Sequence, residues 1–291
     1  MSAPRVIVVG GANMDIGGSP AAGFRLRDSN PGEIRLRPGG VGRNIAHDLR
    51  LLGAEVSLVT ALGDDLPGEA LRQSCEAAGL DLSLAFTLPG ERSSAYLYVT
   101  DGAGDMLVGV ADTAITERLT PALLAPLLPR LGAADAVVLD ANLSAEALDF
   151  LAENCAAPLY ADPVSTAKAP RLRGALPYLA AIKPNAAEAA ALTGEADSER
   201  AARALLAAGV KRVFVSLGAE GLLAAEGETL LRLPCQPCNI VSTNGAGDAA
   251  TAAVVLAGIL GFDLERTARA ALSAGTQAAE NPETNPAALR I

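Results

Sequence analysis

Beyond about residue 130 the chain repeats one unit, a short apolar run followed by a stretch of helical spacing, and this rhythm restricts the fold more than any other feature. Ala136-Val137-Val138-Leu139, Pro158-Leu159-Tyr160-Ala161, Leu179 to Ile182 and Arg212-Val213-Phe214-Val215 are the predicted strands. Ala145 to Asn154, Ala186 to Leu192, Ser198 to Ala208 and Ala246 to Leu260 are the predicted helices. Strands that run the same way need crossovers of this kind, so the rhythm implies a parallel sheet with helices packed on it. Val6-Ile7-Val8-Val9, ended by Gly10-Gly11, reads as a buried first strand and a turn that lets backbone approach a ligand.

Two stretches break the rhythm. Gly23 to Arg37 is polar and turn-rich, with Glu33-Ile34-Arg35-Leu36-Arg37 alternating as a half-exposed strand does. Within Ser93 to Val110, Ala95-Tyr96-Leu97-Tyr98-Val99 and Met106-Leu107-Val108 flank the turn Asp101-Gly102-Ala103-Gly104. These read as two β-hairpins outside the main sheet. The expectation is a single α/β domain over 1–291, a doubly wound, mainly parallel sheet in three layers that carries a small β-sheet lid from inserts at about 14–38 and 91–112.

Composition narrows the partners. Half of the 291 residues are hydrophobic, enough for a sizeable core, and 33 Asp and Glu against 23 Lys and Arg give a net charge of −10. Such a chain lacks the basic footprint that a nucleic-acid polymer requires. With no Trp, five Phe and four Tyr it also has few stacking platforms for single strands, while nucleosides and nucleotides stay open. The run Val6 to Val9 is too short for a signal or membrane segment, so a cytoplasmic protein with no membrane partner is expected. Cys75, Cys155, Cys235 and Cys238 are too few and scattered for a disulfide framework. Cys235-Gln236-Pro237-Cys238 lacks the second pair that a closed zinc site needs, leaving two ordinary buried thiols as the expectation. His47 is the sole histidine, and no G-x-S-x-G elbow accompanies it.

Ligands of open α/β sheets bind beyond the carboxyl ends of the strands. That rule leaves Asn13, Asp15, Asp140, Asn142, Asp162, Lys168, Lys183, Asn185, Glu188, Ser216, Gly218 and Gly221 as candidates. Pro38-Gly39-Gly40-Val41-Gly42-Arg43-Asn44 leads into the helical stretch Ile45 to Leu52. A glycine-rich helix entry either offers bare N–H groups to a hydroxyl or phosphate or is a tight turn. Thr243-Asn244-Gly245-Ala246-Gly247-Asp248 opens an apolar helix, where the aspartate is either a cap or a base beside an N–H cradle for a phosphoryl group. None of Lys168, Lys183 and Lys211 follows a glycine, which excludes G-x-x-x-x-G-K-[ST]. No turn after the first strand has the G-x-G-x-x-G spacing, which argues against a nicotinamide-dependent oxidoreductase.

Taken together these motifs resemble the ribokinase-like (PfkB) sugar and nucleoside kinases over nearly the whole chain. The first signature is similar to Gly39-Gly40-Val41-Gly42-Arg43-Asn44-Ile45-Ala46, continuing to Leu52-Gly53-Ala54 and Gly63-Asp64-Asp65-Leu66-Pro67-Gly68. The second is similar to Gly245-Ala246-Gly247-Asp248-Ala249. Between them, Lys183-Pro184-Asn185-Ala186-Ala187-Glu188 resembles the N-x-x-E element and Ser216-Leu217-Gly218-Ala219-Glu220-Gly221 the nucleotide loop. Ser29-Asn30-Pro31-Gly32, Gly104-Asp105-Met106-Leu107-Val108, Asp140-Ala141-Asn142-Leu143-Ser144 and Asp162-Pro163-Val164-Ser165 resemble the bacterial branch that phosphorylates the 5′-hydroxyl of pseudouridine.

The resemblance implies ATP as co-substrate, Mg²⁺, and Asp248 as general base, with the N–H groups of Gly245, Ala246 and Gly247 as an anion hole. Asn185 and Glu188, one helical turn apart, would hold water-coordinated Mg²⁺, or else cap a helix with the glutamate solvated. Asn13, Asp15, Gly40 and Asn44 would bind the ribose, although Asn13 also suits a turn. Asn142 and Lys168 would meet the nucleoside or the phosphates, or pair with neighbours. Lys183, Asn185, Ser216, Gly218 and Gly221 would face ATP, with a surface lysine and a plain hairpin turn as the alternatives. Ser242-Thr243-Asn244 lacks the acid that in this family often helps form a monovalent-cation site, so potassium activation is not assumed. His47 is expected to be packed or solvated rather than catalytic. The hairpins would close over the nucleoside and exclude water, and pairing of their edges with a second copy would give a homodimer. Ribose, fructose or adenosine as the substrate, and a non-catalytic nucleoside sensor, are the competing readings. The presence of Asp248 argues against the sensor.

Overall fold

The computed structural model describes residues 2–101, 105–235 and 237–291, so the expected turn at 102–104 and Gln236 lie outside the described residues. The first part of the chain runs β1 (Arg5–Val9), β2 (Asn13–Pro20), β3 (Gly32–Gly39), α1 (Val41–Leu51), β4 (Glu55–Val59), β5 (Ala61–Gly63) and α2 (Leu66–Ala77). It continues through β6 (Phe86–Leu88), β7 (Ala95–Thr100), β8 (Met106–Asp112) and two short helices, α3 (Pro121–Leu124) and α4 (Leu128–Leu131). Then come β9 (Ala136–Asp140), α5 (Ala145–Asn154), β10 (Leu159–Asp162), β11 (Leu179–Ile182), α6 (Ala186–Thr193) and α7 (Ser198–Ala207). The last part holds β12 (Arg212–Ser216), β13 (Leu222–Glu226), β14 (Thr229–Leu233), α8 (Ala246–Ile259) and α9 (Leu264–Ala279).

Eight strands build the main sheet in the order β14-β13-β12-β11-β10-β9-β1-β4. From β4 to β12 the neighbours are parallel, while β13 and β14 fold back antiparallel at one edge. Alternate side chains feed opposite layers. Ile7, Val9, Val137 and Leu139 join a core with Leu148 of α5, Leu192 of α6 and Leu205 of α7. Val6, Val8, Val138 and Phe214 join another with Ile45 and Leu49 of α1 and Val255 of α8. Both faces of the sheet are therefore covered, which is why these strands read as unbroken apolar runs rather than as alternations.

The two expected hairpins form one sheet. β2 pairs antiparallel with β3 and parallel with β7, and β7 pairs antiparallel with β8. β2 carries no strand signal in the sequence, because Gly17, Gly18 and Pro20 hide its alternation, and Asn13 and Asp15 lie in this strand rather than in the turn after β1. Register separates its faces. Leu36, Ile16, Leu97 and Val110 stand opposite one another, with Ile34, Gly18, Val99 and Val108 in the next row on the same face. On that apolar face Ile34 is 74% and Val110 60% exposed. The reverse face carries Asp15, Arg35, Arg37, Tyr96 and Tyr98, the two rings 5.8 Å apart. A Cβ at Gly17 would sit 2.6 Å from the Tyr98 hydroxyl, so the glycine makes room for the ring.

Helix α1 starts at Val41, inside the glycine motif and ahead of the expected Ile45. Its N-cap is Gly40 at φ 98°, where a Cβ would stand 2.5 Å from the Gly11 carbonyl oxygen. No helix among the described residues is long and apolar enough to cross a membrane. Gly40→Ala is expected to destabilise the fold by about 2 kcal/mol through left-handed strain and backbone overlap. For a chain of this size, that predicts a Tm lower by roughly 4–8 °C in calorimetry.

Candidate active site

Strands β9 and β10 end in register on two aspartates, Asp140 and Asp162. Asp140 is fully buried and accepts from the Gly11 N–H (2.9 Å), the Asn142 N–H (2.9 Å) and the Asn142 side-chain amide (2.9 Å). Burial pushes its carboxyl upward against those bonds. Asp162 accepts from the Val164 N–H (2.9 Å) and from the Thr251 hydroxyl of α8 (2.7 Å). Lys183, directly after β11, lies buried with its Nζ 3.6 Å from Asp162 Oδ2. The surface-lysine alternative for Lys183 is thereby excluded.

Asp248 sits in the first turn of α8, whose N-cap is Gly245 at φ 80° with no side-chain cap. It is therefore not the helix cap. The first-turn N–H groups of a helix have no acceptor within it, so the turn presents donors where Ala246, Gly247 and Asp248 line a cavity. Asp248 Oδ2 accepts from Asn44 Nδ2 at 2.8 Å, which joins the two glycine motifs across the molecule. Its carboxyl is pushed up to about 7, first by desolvation and then by the charge of Asp162, with the Asn44 bond and Lys183 opposing. A carboxyl so placed exchanges its proton near neutral pH.

The cavity measures about 740 Å³. Asp162, Lys183, Asn185, Glu188 and Asp248 line it, together with Ser216, Gly218 and Gly221 and with the apolar Ile240, Leu272 and Ala279. Cys235 and Cys238 also line it and are half-buried, which corrects the expectation of two buried thiols. Gly218 starts a short 3-10 turn and Gly221, at φ 101°, ends it before β13.

The remaining candidates fall into pairs. Asn185 and Glu188 form a reciprocal capping box for α6, Glu188 N–H to Asn185 Oδ1 (2.9 Å) and Asn185 N–H to Glu188 Oε2 (2.8 Å). Glu188 is buried rather than solvated, and burial followed by the Asp162 charge pushes its carboxyl up. No group of three or more His, Cys, Asp or Glu side chains among the described residues could hold a metal ion. A divalent cation beside Glu188 would thus depend on ligand and water oxygens, as Mg²⁺ at phosphates does. Lys168 Nζ donates to Asn142 Oδ1 (2.7 Å), so these two candidates partner each other. Asn13 Nδ2 donates to Asp15 Oδ1 at 2.5 Å, and desolvation raises the Asp15 carboxyl to about 6. Gly40 abuts the backbone of Ala12 and Asn13. His47 is half-buried on α1, and its Nδ1 has no partner.

Residues 3–289 match the family described as pfkB family carbohydrate kinase. The chain belongs to the pfkB family. Pseudouridine kinase of Escherichia coli (strain K12) is 35% identical over 98% of this chain and 94% of its own. An uncharacterized sugar kinase of the same organism, YeiI, is 35% identical over 95% of this chain and 80% of its own. The solved structure of a carbohydrate kinase from Agrobacterium tumefaciens matches with a TM-score of 0.87 at 29% identity, covering 97% of this chain and 92% of that one. As a pfkB kinase the protein is a phosphotransferase acting on a hydroxyl group, and its three-layer α/β fold is ribokinase-like.

Arg43 stands inside the first glycine motif and Thr251 and Asn285 lie in no motif, yet all three hold site carboxylates or amides. Thr251 follows Asp248 by three positions, one helical turn, and that spacing was the available signal. For this pfkB kinase, Glu188→Ala is expected to remove half of the capping box at a cost of about 1 kcal/mol. In thermal melts that is roughly 2–4 °C, whereas Glu188→Gln, which keeps the acceptor, should stay within about 1 °C of wild type.

Proposed function

We propose that this pfkB kinase transfers the γ-phosphoryl group of ATP to the 5′-hydroxyl of pseudouridine, giving pseudouridine 5′-phosphate. The observation that carries the reading is Asp248, held by Asn44 at the uncapped start of α8 in a cavity shared with Lys183 and Glu188. Asp248 takes the proton of the hydroxyl as its oxygen attacks phosphorus. The N–H groups of Gly245, Ala246 and Gly247, with Lys183, meet the charge on the phosphoryl oxygens. Ser216, Gly218 and Gly221, which line the same cavity, would face the ATP ribose and phosphates, and Ile240 and Leu272 would border the adenine. Asn185 and Glu188 would hold Mg²⁺ through water beside the phosphates, where it would supply charge neutralisation.

Asn13, Asp15, Gly40 and Asn44 hold the ribose, and the Asn142–Lys168 pair closes the far side. The four-stranded sheet acts as the lid. Its reverse face carries the rings of Tyr96 and Tyr98, which would stack on a uracil ring, and the Arg37 guanidinium, which would reach its carbonyl oxygens, while Arg35 is ion-paired with Glu33 at 2.7 Å. The similarity to the E. coli pseudouridine kinase supports this substrate. The equal identity to YeiI favours, as the second reading, another sugar or nucleoside on the same machinery.

ADP release with Mg-ATP and a panel of pseudouridine, uridine, adenosine, ribose and fructose tests the reading. Pseudouridine is expected to give the highest kcat/KM, and turnover confined to another panel member would discard that substrate. Asp248→Asn is expected to lower kcat by roughly 10²–10⁴-fold. Because Asp248 works deprotonated and its carboxyl is raised to about 7, the wild-type rate should fall as pH drops below that value.

The outward face of the lid supports a homodimer. Ile34, Leu36, Leu97, Val108 and Val110 form an apolar surface that a second copy would cover. Light scattering is expected to show a dimer that Leu36→Glu converts to monomer, and a wild-type monomer at working concentration would refute it.

A further inference from the structure

The two glycine motifs meet in one hydrogen bond, and what sets its direction lies outside them. Asn44 Nδ2 donates to Asp248 Oδ2 at 2.8 Å, so the NH₂ end of the amide faces the acid. A flipped amide would set oxygen against carboxylate. The other end, Asn44 Oδ1, accepts from Arg43 Nη1 at 3.1 Å. A guanidinium has only donors, and so it permits one orientation of that amide.

Arg43 is itself fixed. It is 7% exposed, and its Nη1 also donates to Asn285 Oδ1 (2.8 Å) while Nη2 donates to the Ser74 hydroxyl (3.2 Å). Asn285 Nδ2 donates to the Asn44 carbonyl (3.2 Å) and to Asp48 Oδ1 (2.8 Å), both acceptors, so the second amide has one orientation too. Asn285 comes from the segment after α9. Its neighbour Thr284 packs so closely on Gly245 that a Cβ there would lie 2.4 Å from the Thr284 carbonyl oxygen. The segment is tied back through Gln277 and Arg290, bonded in both directions at 2.9 and 3.1 Å, and through the buried Leu289.

We propose that Arg43 and Asn285 are positioning residues that lock the Asn44 amide toward Asp248, so that the segment after α9 sets the reactivity of the acid at the start of α8. The effect on rate rests on reading Asp248 as the base, whereas the lock itself does not.

Asp248 also faces Asp140 and Asp162 at the strand ends, Lys183 after β11, and Asp48 on α1. Asn285→Ala and Arg43→Lys remove none of these side chains. A lysine keeps the positive charge of Arg43 but cannot reach Asn44, Asn285 and Ser74 together. The test is a ¹³C NMR titration of the Asp248 carboxyl in aspartate-labelled protein, its resonance assigned by its loss in Asp248→Asn. Weakening the Asn44 bond removes support for the carboxylate, and the midpoint is expected to rise by about one unit in both variants. Loss of the Asp48 partner alone would favour neutral Asp48 and move Asp248 the other way. The kcat is expected to fall roughly tenfold, with the acid limb of its pH profile moved upward and KM for ATP within about twofold. Thermal melts identify a variant that fails to fold, in which case the other decides. A midpoint unchanged or lowered in the folded variants overturns the proposal. If Asp248→Asn stays active, the base reading falls and the titration still decides the lock.

Discussion

Carboxyl groups brought together where water is scarce raise one another's hold on protons, and the fold is arranged around that fact. The parallel register ends β9 and β10 on Asp140 and Asp162 side by side, and α6 and α8 add Glu188 and Asp248. Each acid is balanced locally, by backbone N–H groups, by the Thr251 hydroxyl, by the Lys183 ammonium or by an asparagine amide. The balance is uneven, and the unevenness is useful. Asp248 has a single neutral donor, and desolvation followed by the Asp162 charge, opposed by that donor and by Lys183, pushes its carboxyl up to about 7.

This arrangement explains why a phosphotransferase can manage with so few basic residues at its centre. In the proposed reaction the transferring phosphoryl group would be met chiefly by helix-start N–H groups and one buried lysine, which stabilise charge without adding a net positive field. The surplus of acids over bases in the chain is then compatible with an anionic substrate.

The sheet is legible because burial on both faces writes apolar runs, and the elements that carry the candidate site are legible because glycine-rich helix starts are written as contiguous motifs. The strands Val6 to Val9 and Ala136 to Leu139, and the helix from Ala246, appear within a residue or two of where they were expected. What escaped has physical reasons. β2 is broken up by Gly18 and by Gly17, which makes room for the Tyr98 ring, and β13 and β14 are an edge hairpin whose signal does not depend on the βα rhythm. Asn185 and Glu188 share a face as expected, yet spacing could not show that they bond first to each other's backbone. Asn285 was invisible because an asparagine in a polar terminal stretch carries no periodicity, and its partners are brought to it only by the tertiary fold.

The strand order has a further consequence, for the way the chain reaches its native state. β1 lies between β4 and β9, so one side of the first strand can pair early with residues 55–59 while the other waits for Ala136 to Leu139. During that interval an apolar strand edge stands open, a template for intermolecular pairing. Non-local parallel pairings of this kind are slow to form, because chain closure must precede the contacts that reward it. Refolding should therefore be limited by docking of β9 against β1, and the molecule at greatest risk of aggregation is the one in which only the first third has found its place.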